Sequence, residues 1–136
     1  MIVKEFYPVL MVDDVQGLAK FYVANFGFVE RFSTDWYVHL QSASSPTCNL
    51  ALLRGDHETI PPGRKARSGG IVLSFEVANV DHIYTEMKAR GLPIVVELKD
   101  EPFGQRHFMT TDPAGTLIDV ITPIDPSPEF EGFYQS

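Results

Sequence analysis

Four histidines, His39, His57, His82 and His107, are the residues of this chain most able to hold a divalent metal. Their placement limits what they can do. His57 stands beside a Gly/Pro-rich stretch and His82 in the first turn of a helical pattern, so neither is aimed at a common site. His39 and His107 fall on strand-like runs that correspond in the two halves of the chain. Around His39, Val38 and Leu40 take one face of the strand and leave Tyr37, His39 and Gln41 on the other. Around His107 the facing stays open, because Phe108 suits either side. Two histidines alone make a thin metal site, and polar binding residues or hydrogen-bonded surface histidines are the commoner use. A lone cysteine, Cys48, forms neither an internal disulfide nor a thiolate cluster. Trp36, Tyr37 and Phe103 are placed to stack on a flat ligand, against the plainer role of packing. The one cationic cluster, Arg64, Lys65 and Arg67, reads more simply as a solvated connector than as a phosphate site.

These groups must be positioned by a chain of 136 residues, 44% hydrophobic, 12% aromatic and 21% charged. That length suits one compact domain or two small halves sharing buried surface. The apolar content excludes intrinsic disorder, since it can offset the entropy of ordering. No run of about 18 apolar residues occurs, so no membrane-spanning helix is expected. Lys4 and Glu5 in an early strand-like stretch do not read as a secretory signal. With the single cysteine, the expectation is a cytoplasmic globular protein. Eleven Lys and Arg against 18 Asp and Glu give a net charge of −7. No nucleic-acid partner is therefore expected, because phosphate contacts need a basic face and none is visible in the sequence.

Hydrophobic periodicity divides the chain into two similar halves. In the first, an apolar strand from Phe6 to Val12 leads through Asp13-Asp14 into a helix whose stripe is Val15, Leu18, Phe21, Tyr22 and Phe26, stopped by Gly27. Strands follow at Phe28–Phe32, Trp36–Gln41 and Asn49–Arg54. The second half repeats this with a strand at Ile71–Val77, a cap at Asn79, a helix at Val80–Arg90 and a stop at Gly91. Its later strands fall near Ile94–Leu98, Gln105–Thr111 and Leu117–Thr122, with the turn Asp112-Pro113-Ala114-Gly115 between the last two. Val12-Asp13-Asp14-Val15 matches Val77-Ala78-Asn79-Val80 at an offset of about 65 residues. The expected organisation is a β-α-β-β-β module over residues 1–54, a linker over 55–70, a second module over 71–122 and a tail over 123–136.

At this level of detail the sequence resembles the vicinal oxygen chelate superfamily, which includes glyoxalase I, bleomycin-resistance proteins and extradiol dioxygenases. The likeness rests on Val9–Asp14 leading into Lys20-Phe21-Tyr22 and Phe26-Gly27-Phe28, on Phe75–Asp81, and on Glu101–Arg106. Its strongest part is Asp112-Pro113-Ala114-Gly115-Thr116-Leu117-Ile118-Asp119-Val120. The resemblance implies an α+β fold of two βαβββ modules whose strands form a curved mixed sheet around a shared cup. In enzymes of this kind a divalent metal sits in the cup on a His and a Glu from each module. The corresponding positions here are Tyr7, a residue near Ala51, Val72 and Asp119. Only Asp119 keeps a carboxylate, and valine and alanine cannot coordinate.

What the resemblance then implies is a bleomycin-resistance-like protein that binds a small molecule without metal or cofactor and has no catalytic residues. Alternation puts Tyr7, Val9 and Met11, then Val72, Ser74 and Glu76, and finally Asp119 towards the cup. The expected ligand contacts are Tyr7, Trp36, Tyr37 and His39 in the first module, and Ser74, Glu76, Phe103 and Asp119 in the second. The ligand is expected to be cationic or aromatic, in keeping with the charge, and the protein a homodimer. The competing class is a metal-dependent glyoxalase- or dioxygenase-type enzyme with a displaced metal. A vestigial cup in a regulatory subunit is a third reading. The tail, rich in Pro and aromatic residues, either covers a neighbouring subunit or is disordered.

Overall fold

Leu10 and Val12 alternate with Val9 and Met11 along β1 (Val9–Val12), so that one face of the strand is buried and the other is not. In the computed structural model, which describes residues 1–135, this alternation recurs through two compact units, Met1–Gly70 and Ile71–Ser136. Within the first unit, α1 (Val15–Phe26) buries Val15, Leu18, Ala19 and Tyr22. The Asp14 carboxylate accepts a hydrogen bond from the Gly17 amide at 2.9 Å and so satisfies one free amide of the first turn. Gly27, at φ 68°, closes the helix in the left-handed conformation that other residues resist. Strands β2 (Phe28–Ser33), β3 (Tyr37–Ser42) and β4 (Asn49–Arg54) complete a sheet ordered β1-β4-β3-β2, with β1 parallel to β4 and the other pairs antiparallel. Val38, Leu40, Leu50 and Leu52 are essentially inaccessible and form the core under α1. Full burial of each contributes roughly 1.5–3 kcal/mol.

Residues 55–70 pack back onto the first unit. The Ser68 amide donates to the Met11 carbonyl at 2.8 Å, and the Met11 amide donates to Ser68 Oγ at 2.7 Å. Ala66 N donates to the Gly55 carbonyl, and Ile60 is buried. The physical reason is that β1 ends its sheet and its outer backbone groups need partners, which the returning chain supplies.

The second unit repeats the pattern with β5 (Val72–Glu76), α2 (Val80–Ala89), β6 (Val96–Glu101), β7 (Gln105–Thr111) and β8 (Leu117–Pro123). Its sheet is ordered β5-β8-β7-β6. Val80, Met87, Phe108, Ile118 and Val120 are buried, and Asn79 Oδ1 caps α2 through the His82 amide. The chain thus builds two four-stranded mixed sheets, because β1 and β2 end one ladder and β5 and β6 the other. Strand β6 lies at Val96–Glu101 and not at Ile94–Leu98. Lys99-Asp100-Glu101 lack apolar character, but an edge strand with a solvated side tolerates charge, and a register irregularity between Val96 and Lys99 blurs its alternation.

The tail also folds back, within the second unit. Ile124 N donates to the Gly104 carbonyl and Ser127 N to the Pro102 carbonyl. After these, α3 (Pro128–Glu131) sets Phe130 against Phe103, ring centres 6.3 Å apart, and the Tyr134 hydroxyl donates to the Phe103 carbonyl. The last residue of the tail, Ser136, lies outside the described residues.

Candidate ligand-binding faces

With one face of each sheet committed to its helix, the other face is where polar and aromatic side chains collect. Strand register identifies its members. In the first unit Val9, Ala51, His39 and Phe32 lie in one row across the sheet, and Met11, Leu53 and Tyr37 in the next. Tyr7, just ahead of β1, meets the His39 ring edge-on at 4.7 Å, and Phe32 meets Tyr37 at 6.0 Å. His39 Nε2 bonds Asn49 Oδ1 at 3.0 Å, and the Gln41 amide reaches the same oxygen at 3.3 Å. Burial, reinforced by the neighbouring Tyr7, pushes the Tyr37 phenol above its ordinary range, so it stays a neutral hydroxyl. This face is aromatic, with a small amide-imidazole fixture.

In the second unit the corresponding face is ionic. Glu76, Ile121, His107 and Lys99 form one row, and Ser74, Asp119, Met109 and Val96 the next. His107, 4% exposed, lies between two carboxylates: Nδ1 is 2.7 Å from Asp119 Oδ1 and Nε2 is 2.8 Å from Glu101 Oε2. A carboxylate only accepts, so both ring nitrogens donate and the imidazole is held as a cation. Burial alone would lower its pKa, but the bonds to Glu101 and Asp119, with the charge of both, more than offset this and raise it. The His107 bond in turn holds the Glu101 carboxyl below its usual range against a smaller desolvation effect, and Lys99, at 3.3 Å, adds to the lowering. The result is an Asp119–His107–Glu101–Lys99 chain with each charge partnered.

The registers also fix which positions of the two modules correspond. Val9 pairs Ala51 as Ser74 pairs Asp119, so Ala51 stands where the second module has Asp119. By the same reading Tyr37 corresponds to His107, and His39 to Met109. The two histidines share equivalent strands but are staggered by one row, and His107 has no free nitrogen. The four positions implied for a metal do not fit one. Ala51 and Val72 have no ligating atom, Tyr7 offers a phenol, and Asp119 Oδ1 is already bonded to His107. Among the described residues no group of three or more His, Cys, Asp or Glu side chains is arranged to hold a metal ion.

The remaining sequence candidates divide plainly. Tyr7, Tyr37 and His39 come together on the first sheet. Ser74, Glu76 and Asp119 share the second, Glu76 on an exposed position. Trp36 lies in the turn before β3, its ring stacked on His57 at 3.8 Å and nearly parallel, so one of its faces is taken. Phe103 sits in the β6–β7 turn under the tail and off both sheet faces. His82 faces Glu86 on α2 at 3.1 Å. Glu101, Lys99 and Asn49 were not foreseen as members of these faces. The signal for Glu101 and Lys99 was available in the spacing of two that puts them on one side of a strand.

Two βαβββ modules in one chain define an α+β protein of repeated architecture. Residues 6–120 match the family model of the Glyoxalase/Bleomycin resistance protein/Dioxygenase superfamily, and the chain belongs to that superfamily. Among solved structures, a superfamily member from Sphaerobacter thermophilus DSM 20745 is similar at a TM-score of 0.73 and 22% identity, over 90% of this chain and 98% of that one. An antibiotic binding protein from Streptomyces sp. CB03234, TnmS3, gives 0.69 and 24% over 90% and 97%. The lactoylglutathione lyase of Agrobacterium tumefaciens gives 0.70 and 21% over 89% and 94%. No curated protein matches. No helix among the described residues is long and apolar enough to cross a membrane.

Proposed function

We propose that this protein binds a small organic molecule, cationic or aromatic, without a catalytic metal. The observation that supports this most directly is the engagement of Asp119: the single carboxylate at an implied ligand position accepts its hydrogen bond from a buried imidazolium. A carboxylate so partnered is a poor ligand for a divalent ion, which would have to displace a charge-assisted bond. Each sheet face offers something a small organic molecule can use: aromatic edges around Tyr7, Phe32 and Tyr37 on one, and the exposed Glu76 carboxylate beside Ser74 on the other. The antibiotic-binding relative is compatible with this reading. The structural likeness to a lactoylglutathione lyase keeps an enzyme as the competing class. A displaced metal on His39 and His107 is disfavoured because His107 has both nitrogens engaged. The single cysteine and acidic charge support a cytoplasmic protein, and the resemblance to bleomycin-resistance proteins supports a homodimer.

Elemental analysis of protein purified without chelator, followed by calorimetric titration with cationic aromatic antibiotics, bleomycin among them, tests the proposal. Substoichiometric metal and saturable binding that survives EDTA are expected. A tightly held stoichiometric metal, or no binding across the panel, overturns it.

A further inference from the structure

The cationic loop of the first unit has a role that the sheet faces do not explain. Lys65 and Arg67 join Arg54, from the end of β4, around a hollow of about 520 Å³ that is also lined by Asp13, Gly55, Asp56 and Ala66. It opens beyond the carboxyl ends of the paired strands β1 and β4, where Val12 and Arg54 face each other in register. Its wall is fixed by backbone bonds, Ala66 N to Gly55 O at 3.2 Å and Ser68 N to Met11 O at 2.8 Å. A side chain on Gly55 would collide with the Ala66 carbonyl oxygen, so the two segments approach as closely as glycine allows.

The charges of the hollow do not cancel. Arg54 uses Nε on Asp56 at 2.7 Å, and Arg67 uses Nε on Asp13 at 2.9 Å. Those bonds orient each guanidinium and leave its terminal Nη groups with N–H bonds to offer. Lys65 Nζ donates to the Asp56 and His57 carbonyls at 2.9 and 3.3 Å, which positions it without neutralising it. Three cations against two carboxylates leave one positive charge, on a chain whose net charge is −7. Oriented guanidinium forks beside an ammonium match the oxygens of a tetrahedral anion, and the size of the hollow leaves room for an organic remainder.

We propose that this hollow is a binding site for the phosphate group of a small organic phosphate. The site is independent of the sheet faces, so its failure and that of the small-molecule reading are separable. The test uses the full chain, labelled with ¹⁵N, and inorganic phosphate and pyrophosphate as probes. Backbone amide and arginine Nε resonances are followed at constant ionic strength, with sodium acetate and sodium chloride as controls. Saturable shifts confined to Asp13, Arg54–Asp56 and Lys65–Arg67 are expected, stronger for pyrophosphate, and at least about tenfold weaker in Arg54→Gln/Arg67→Gln. Lys65→Gln, which leaves both guanidinium pairs in place, weakens binding less than the double variant. Shifts spread over the molecule, equal response to acetate, or unchanged affinity in the double variant overturns the proposal. Lys65 and Arg67 are exposed and Arg54 is half-buried, outside the core, and an unchanged spectrum outside the hollow verifies that each variant folds.

Discussion

Replacing His107 by leucine tests the ionic chain on the second sheet more sharply than any other single change. The substitution removes the donor to Asp119, a residue only 6% exposed, and the donor to Glu101. Asp119 would then be a buried carboxylate without its partner, a situation that costs about 3–5 kcal/mol when a buried pair is broken from one side. Glu101 keeps Lys99 and contact with water and adds little. The midpoint of thermal unfolding should fall by of order 10 °C or more. His107→Leu combined with Asp119→Leu should recover much of the loss, because removing both partners leaves no unsatisfied charge. The pH dependence gives a second readout. The raised pKa of His107 means that its contribution is fully present below the ordinary imidazole range and is lost as pH rises through the folded value. Glu101, held low, contributes above the ordinary carboxylate range and loses that contribution as pH falls through its folded value. Stability of the wild-type chain should therefore peak between these limits, and His107→Leu should flatten the curve. Urea titrations followed by circular dichroism across this range measure both effects. A loss below about 1 kcal/mol, or a double variant no more stable than the single one, would refute the reasoning.

The two faces of the first sheet should respond differently to truncation: Leu52→Ala, in the core under α1, should cost about 2–5 kcal/mol. Phe32→Ala, 54% exposed on the other face, should cost less than about 1 kcal/mol while weakening ligand binding, measured by the same titration. Thr110 Oγ1 is buried without a hydrogen-bond partner among the described residues, so Thr110→Val should be neutral or stabilising by up to about 1–2 kcal/mol in urea unfolding. Tyr134→Phe removes the hydroxyl bond to the Phe103 carbonyl and should increase amide hydrogen exchange in the β6–β7 turn without changing the exchange of β8.

The elements that bury an apolar stripe were legible in the sequence. Val15, Leu18 and Tyr22 on α1, and Val80 and Met87 on α2, announce their helices by spacing, and Asp14 and Asn79 announce the starts. Strands β3 and β7 fall within a residue or so of their expected limits, although Phe108 leaves the facing of β7 open in the sequence. Less legible was whatever is held by backbone bonds or by charge. Residues 55–70 have the composition of a linker, yet the amide and hydroxyl of Ser68 complete the edge of β1, a role that side-chain periodicity does not reveal. The partnership of His107 with Asp119 and Glu101 depends on register across three strands, and register is a tertiary property. Trp36 shows the same limit, because its stacking partner His57 lies 21 positions away, across β3 and β4.

The correspondence of the two modules explains why their chemistry differs while their folds agree. Folding selects the helix-facing positions, where Leu40 and Leu52 in one module match Thr110 and Val120 in the other as buried residues. The opposite positions carry no such requirement, since a sheet needs only one closed face to be stable. There Ala51 answers Asp119, Tyr37 answers His107, and Met11 answers Glu76. A four-ligand metal site of the kind the resemblance implies would demand the same residue types at matching positions of both modules. In this chain the first module carries an aromatic face and the second an ionic one. Because these positions face away from the helices, the chemistry of each face is set independently of the packing that builds its module.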